Sequence, residues 1–273
     1  MRVGVFDSGV GGLTVAARLF KELPELSIHY FGDTAHVPYG SRSAEDVTYL
    51  VCQIANYLYQ SGADALVLAC NTSSAVAIEA IRDECPVPVV GIIEAACRAA
   101  IEATENGRIG VLSNVLTARS GAYDRTAQFQ AQRLGLAVPQ VVSVGCPKLV
   151  PLIEAGKING AEPTEALAEY LAPLLEAEVD TLVFGCTHYP FLTHLVREMV
   201  PHHVRLIDPG AFVARELEAV GVTRRLGEGA PEHRFEVSGS AADFEANGSR
   251  LMGHRLTGVR TVKLLSSPQS AAS

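Results

Sequence analysis

Residues 63–70 read Ala63-Asp64-Ala65-Leu66-Val67-Leu68-Ala69-Cys70, and residues 179–186 read Val179-Asp180-Thr181-Leu182-Val183-Phe184-Gly185-Cys186. Asp, Leu, Val and Cys recur at the single offset of 116 that carries residue 70 to residue 186. Short apolar runs of this kind read as strands buried on both faces. Each ends on a thiol. An earlier pair echoes too: Arg2-Val3-Gly4-Val5 returns as Arg108-Ile109-Gly110-Val111, at an offset of 106. Two similar halves, each with a cysteine at a strand end, imply one site on a pseudo-two-fold axis. Two like groups then face each other across a substrate. That arrangement suits a reaction needing the same chemistry on opposite faces of one atom.

Outward from these strands, β-rich runs alternate with helical patterns. Strands are expected near 2–6, 27–32, 64–69 and 87–90, and helices near 11–22, 43–60, 73–84 and 94–104. A second set follows: strands near 108–112, 139–143 and 179–184, helices near 119–132, 163–177 and 190–199. The alternation implies parallel sheets covered by helices, with ligands at the carboxyl ends of strands. Asp7, Cys70, Ser113 and Cys186 all fall there. The expected fold is α/β: two pseudo-symmetric parallel-sheet domains with the active site between them. One domain spans 1–97 plus 208–273, the other 98–207. Asp208-Pro209-Gly210 reads as a hinge, and strands near 233–238 and 259–264 as returning to the first domain. Residues 266–273 read as a polar tail.

Composition narrows the function. The 273 residues are 48% hydrophobic, enough for a sizeable core, and carry a net charge of −8. That charge argues against nucleic acid and acidic membranes as partners. No apolar run approaches the roughly 20 residues of a spanning helix. The first residues enter a strand directly, without a signal-peptide pattern. A cytoplasmic location is expected, where the six cysteines (52, 70, 85, 97, 146 and 186) stay reduced. None forms a Cys-x-x-Cys.

Several segments carry candidate chemistry. Asp7-Ser8-Gly9-Val10-Gly11-Gly12 reads as a glycine turn with a cap, or as a carboxylate and hydroxyl aimed at a polar substrate. Thr14 stands where a dinucleotide loop needs its third glycine. Cys70-Asn71-Thr72-Ser73-Ser74 opens a helix, whose free amides favour a thiolate. An ordinary thiol has a pKa of about 8.5, so a small depression makes a base. Cys52, Cys85 and Cys97 read as small core residues. Cys186-Thr187-His188-Tyr189-Pro190 is the second copy. With Cys70 its Cys-x-His gives three metal ligands but no fourth, and a cysteine-protease pair leaves the second cysteine unexplained. No metal and no cofactor are expected. The 33–43 loop, Asp33 to Ser43, is a surface turn or a ligand-contacting rim. Glu154 is a solvated glutamate or a helper. His29, His194, His202, His203, His233 and His254 have no motif context.

Four of these segments together resemble the glutamate racemases: Phe6-Asp7-Ser8-Gly9-x-Gly11-Gly12, Asp33-Thr34-x-x-x-Pro38-Tyr39-Gly40, Cys70-Asn71-Thr72 and Gly185-Cys186-Thr187-His188-Tyr189-Pro190. The resemblance implies a cofactor-independent enzyme that interconverts L- and D-glutamate and supplies D-glutamate for peptidoglycan. It implies two catalytic cysteines, Cys70 and Cys186, with Cys70 handling the proton of D-glutamate. Asp7 would support Cys70, and Glu154 with His188 would support Cys186. Asp7, Ser8, Pro38, Tyr39, Gly40, Asn71, Thr72, Thr117 and Thr187 would hold substrate. The expected partners are the small-molecule substrate and a second copy, in a homodimer. One departure stands out: such enzymes usually read Gly-Thr where this chain has Ser113-Asn114, so either residue is a candidate to take over a contact. Aspartate or hydantoin racemases share two cysteines on the same scaffold. A silent amino-acid-binding protein would keep the cleft without turnover.

Overall fold

The structure is a computed structural model that describes residues 1–222 and 230–264. The polar tail at 266–273 lies outside the described residues. In chain order the first half comprises β1 (Arg2–Asp7), α1 (Leu13–Glu22), β2 (Ser27–Gly32), α2 (Ala44–Gln60), β3 (Ala65–Leu68), α3 (Asn71–Glu84), β4 (Val89–Gly91) and α4 (Ile92–Ala103). The second half comprises β5 (Arg108–Ser113), α5 (Val115–Ser120), α6 (Ala122–Leu134), β6 (Gln140–Gly145), α7 (Leu149–Glu154), α8 (Ala161–Glu176), β7 (Thr181–Gly185), α9 (Thr193–Met199) and β8 (Arg205–Ile207). The chain then adds α10 (Val213–Ala219), β9 (Arg234–Val237), α11 (Ala241–Met252) and β10 (Arg260–Thr261).

Two all-parallel sheets result, ordered β10-β9-β2-β1-β3-β4 and β6-β5-β7-β8. Within the first, β2-β1-β3-β4 has the same order as the whole of the second. The registers match too. Val3 pairs with Ala65 as Ile109 pairs with Thr181, and Arg2 with Ser27 as Arg108 with Gln140. Side-chain contacts repeat as well. Gly4 packs against Leu58, Ala63 and Leu66, and Gly110 against their counterparts Leu174, Val179 and Leu182. The sequence echo is a structural repeat.

Where expectation and structure differ, local chemistry explains it. The helix read at 119–132 is two helices, because Gly121 at φ 65° ends α5 in the left-handed region before α6 begins. Strand β8 and helices α7, α10 and α11 add to the expected elements. Asp208 accepts the Gly210 N–H at 3.1 Å and caps a short 3₁₀ turn at Pro209–Phe212. Strands β9 and β10 do return to the first sheet. One apolar cluster joins the halves: it contains Val3 and Val67, the small face of α4 (Ala95, Ala96, Ala99), Tyr123 and Ala127 of α6, and Val111 and Val183. Among the described residues, no helix is long and apolar enough to cross a membrane.

Candidate active site

A cleft of about 490 Å³ opens at the carboxyl ends of both sheets. Its walls come from the residues after β1, β3, β5, β6 and β7, from the 37–41 loop and from α7. Its size fits a small-molecule site. Cys70 and Cys186, the two strand-end thiols of the repeat, both line it. Both are buried, and all six cysteines are free thiols. Among the described residues, no group of three or more His, Cys, Asp or Glu could hold a metal ion.

Each cysteine has its own surroundings. Cys70 is the N-cap residue of α3, and its thiol donates to Ser8 Oγ at 3.6 Å. Burial pushes this thiol up, and the Asp7 charge adds to the effect; Ser73 and Ser8 oppose it. The direction is opposite to the depression expected from a helix start alone, because the sulfur is out of water. Cys186 Sγ lies 3.8 Å from His188 Nδ1, and His188 Nε2 lies 3.2 Å from Glu154 Oε1. Burial by itself would lower His188. Hydrogen bonds to Cys186 and Glu154, and the charges of Cys186 and Asp7, outweigh it and hold the imidazole at about 10. His188 is thus a buried cation at neutral pH, and both ring nitrogens donate. Glu154 is 45% exposed and, like Cys186 and His188, lines the cleft.

Asp7 is fully buried behind the cleft wall. Its carboxylate accepts the Gly9 N–H at 2.9 Å and the Thr187 hydroxyl at 3.3 Å. Burial raises its pKa, against the pull of His188 and of bonds from Gly9, Gly12 and Thr187. One of these bonds, from Thr187, reaches across from the second half, and the Asp7 charge acts on Cys70 through space. Gly11 makes this crossing possible: a Cβ there would sit 2.3 Å from Thr187 Oγ1 and 2.6 Å from His188 Nδ1. The repeat mirrors the arrangement. The residues after β5 reach back to the start of α3, where Thr117 Oγ1 and Thr72 Oγ1 hydrogen-bond at 3.3 Å. Each half's first strand-end turn cups the other half's cysteine segment.

The remaining sequence-derived residues sort by place. Ser8, Pro38, Tyr39, Gly40, Asn71, Thr72 and Thr187 line the cleft, while Thr117 is buried behind it. The Tyr39 hydroxyl is committed to Asp33 at 2.5 Å, and Asp33 also bonds His36 and Ser238. Asn71 Oδ1 accepts from Tyr123 at 2.6 Å, whereas its buried Nδ2 has no partner among the described residues. Asn114 and Cys146 also line the cleft. The Ser113-Asn114 departure was the signal for the first; Cys146 gave none beyond its strand-end position. Of the other histidines, His29 is buried against Glu236 at 2.7 Å.

The His188 cation has a consequence for stability. Folding raises its pKa from about 6.5 to about 10. Its contribution is complete below about pH 6.5 and is lost as pH climbs through the folded value. The melting temperature of the protein should therefore fall between pH 7 and 10. His188→Gln should flatten that part of the profile; an equally steep fall in the variant would place the titrating group elsewhere.

Comparison with known proteins agrees with the geometry. The Asp/Glu/hydantoin racemase family model matches residues 13–217. A glutamate racemase of Trichormus variabilis is 40% identical over 256 residues, covering 92% of this chain and 85% of that one. The crystal structure of a glutamate racemase isoform from Bacillus anthracis superposes with a TM-score of 0.88 at 36% identity, over 96% of this chain and 97% of that one. A Francisella tularensis glutamate racemase solved with D-glutamate gives a TM-score of 0.84 at 29% identity, over 96% and 97%. With duplicated sheets, paired thiols in one cleft and this agreement over nearly the whole chain, the protein belongs to the Asp/Glu/hydantoin racemase family and is an amino-acid racemase.

Proposed function

We propose that this chain interconverts L- and D-glutamate without a cofactor, with Cys70 and Cys186 as bases on opposite faces of the α-carbon. One observation carries the reading: two thiols at repeat-related strand ends open into one cleft. The thiolate of one removes the α-proton and becomes a thiol. The electron pair spreads into the adjacent carboxylate as a planar carbanion. The opposite thiol gives its proton to the other face and becomes the thiolate. The two sulfurs leave turnover with their states exchanged.

The α-proton is a weak acid, so positioning and stabilisation of the developing enolate supply much of the rate. Among the described residues, His188 is the one side chain lining the cleft that can carry a positive charge. Neutral donors therefore hold the substrate carboxylates: Asn71 Nδ2, the hydroxyls of Ser8, Thr72 and Thr187, and the first amides of α3. Glu154 and His188 serve Cys186 and carry its proton toward solvent. Pro38, Tyr39 and Gly40 form the rim, and Thr117 backs Thr72. Asp7 sets the charge balance between the two sides. The glutamate racemases to which the chain is similar, one of them solved with D-glutamate, support the substrate. On this reading the product feeds peptidoglycan synthesis in the cytoplasm, and the enzyme is a homodimer. The site lies between one domain of residues 1–97 plus 208–273 and another of 98–207, with α4 joining them.

The test is direct. Protein dialysed against chelator and free of pyridoxal absorbance is offered L-glutamate, D-glutamate and both aspartates, followed by circular dichroism. Both glutamates should converge on a racemic mixture, while the aspartates turn over far more slowly. Activity that needs pyridoxal phosphate, disappears with chelation or prefers aspartate would overturn the proposal.

A further inference from the structure

Asn114 sits where β5 gives way to α5, at the point where the chain departs from the pattern of the enzymes it resembles. Both ends of its side chain are committed. Oδ1 accepts the Thr117 N–H at 3.0 Å and caps α5. That contact fixes the amide's orientation, because the other end must then be the NH₂ group. Nδ2 donates to Thr72 Oγ1. Thr117 Oγ1 lies 3.3 Å from the same oxygen, a hydroxyl pair in which either partner can give the hydrogen. A threonine hydroxyl has two acceptor sites and one hydrogen. The Asn114 amide can only give, so it fills one acceptor site and the hydrogen of Thr72 points away from it, and Thr72 lines the cleft. On its other side Asn114 packs against the rim: a Cβ on Gly40 would lie 3.1 Å from Asn114 Cγ. One side chain thus touches the rim loop, the helix that starts at Cys70, and the start of α5.

We infer that Asn114 is a positioning residue for the racemase reaction proposed above: it fills an acceptor site of Thr72 with a group that can only give, so that the Thr72 hydroxyl is free to donate to a carboxylate of the bound amino acid. A threonine at position 114 has a hydroxyl that can give or take a hydrogen bond, so it leaves the direction of the Thr72 hydroxyl open. An asparagine whose oxygen is held by a helix cap can only give. Asn114 never touches the reacting atoms in this scheme; its effect passes through Thr72 and belongs to binding.

The experiment is a double-mutant cycle on the full chain, with Asn114→Ser, Thr72→Val and the pair. Serine keeps the N-cap of α5, so melting temperature should change little. Losing one oriented hydrogen bond should raise KM for both enantiomers by about tenfold, with kcat changed less than twofold, the pattern of uniform binding. In the Thr72→Val background, Asn114→Ser should add less than a further twofold. Asn114→Asp keeps the cap and the shape but turns the donor into an acceptor. It should raise KM more than serine does, and lose that excess when Thr72 is valine. An excess that persists without Thr72 would mark plain charge repulsion and overturn the inference. So would multiplicative losses in the double variant, or an unchanged KM for Asn114→Ser. A wild-type protein that does not racemise glutamate would instead remove the functional reading on which this one rests.

Discussion

Cys70→Ala and Cys186→Ala should each reduce racemisation by at least about 10²–10⁴-fold, the range of a positioned acid–base group, while Cys52→Ala stays at wild-type rate. The first two thiols line the cleft; Cys52 lines a separate groove beside Cys85. On the proposed mechanism neither cleft thiol can stand in for the other, because each serves one face of the α-carbon. Isotope tracing separates this from a single-base scheme. In deuterium oxide the first product formed should carry solvent deuterium at the α-position, and recovered substrate should remain protiated. One base serving both faces would return the original proton to some of the product. Substantial racemisation by either alanine variant would rule out the two-base mechanism.

His188→Asn and Asp7→Asn should each lower kcat/KM by about 10²-fold, and by the same factor in both directions. The equality is imposed by thermodynamics, since enantiomers have an equilibrium constant of one. Any division of labour shows only in kcat, KM and the primary isotope effects of each direction. His188 contacts Cys186, so its loss should raise the α-deuterium isotope effect more for L-glutamate, whose proton falls to Cys186 when Cys70 serves D-glutamate. Asp7 differs. Its hydrogen bond goes to Thr187, its charge supports the His188 cation, and the same charge opposes a thiolate at Cys70. Asp7→Asn should therefore raise the isotope effect in both directions. It should also move the alkaline limb of the kcat/KM profile to lower pH, because His188 loses a partner that holds its pKa up. A bias toward D-glutamate alone, with the alkaline limb unmoved, would make Asp7 a helper of Cys70 only. Equal isotope effects in the His188 variant would remove its assignment to Cys186.

The repeat made the two sheets legible in the sequence. An apolar strand ending on cysteine, twice at one offset, points to the strand ends and the place of the cleft. Helix α11 left little trace: of its twelve residues only Phe244 and Gly248 are buried. Strand β8 is three residues long, too short for any period to register. The cysteines were legible for the same reason as the sheets. Asp7 was legible as a strand-tip carboxylate, but not its direction, because the glycine turn carries it across to the opposite half. Nor could sequence foresee that burial outweighs the helix start at Cys70, since that balance depends on what closes over the sulfur.

The pairing of β2 with β9 reaches beyond the finished molecule, into synthesis. His29 pairs with Arg234, and Ser238 holds Asp33 across 205 residues of chain. As the polypeptide leaves the ribosome, β2 is an open edge until β9 emerges, and an open edge invites pairing with other chains. Asp33 in turn anchors Tyr39 and His36 of the rim. Both cysteines have therefore been translated well before the rim of their cleft has its anchor. A nascent chain halted after His188 should carry every group the proposed chemistry needs and still be inert. The pairing of β9 with β2 acts as the licence for activity, so turnover is expected only once β9 has been made.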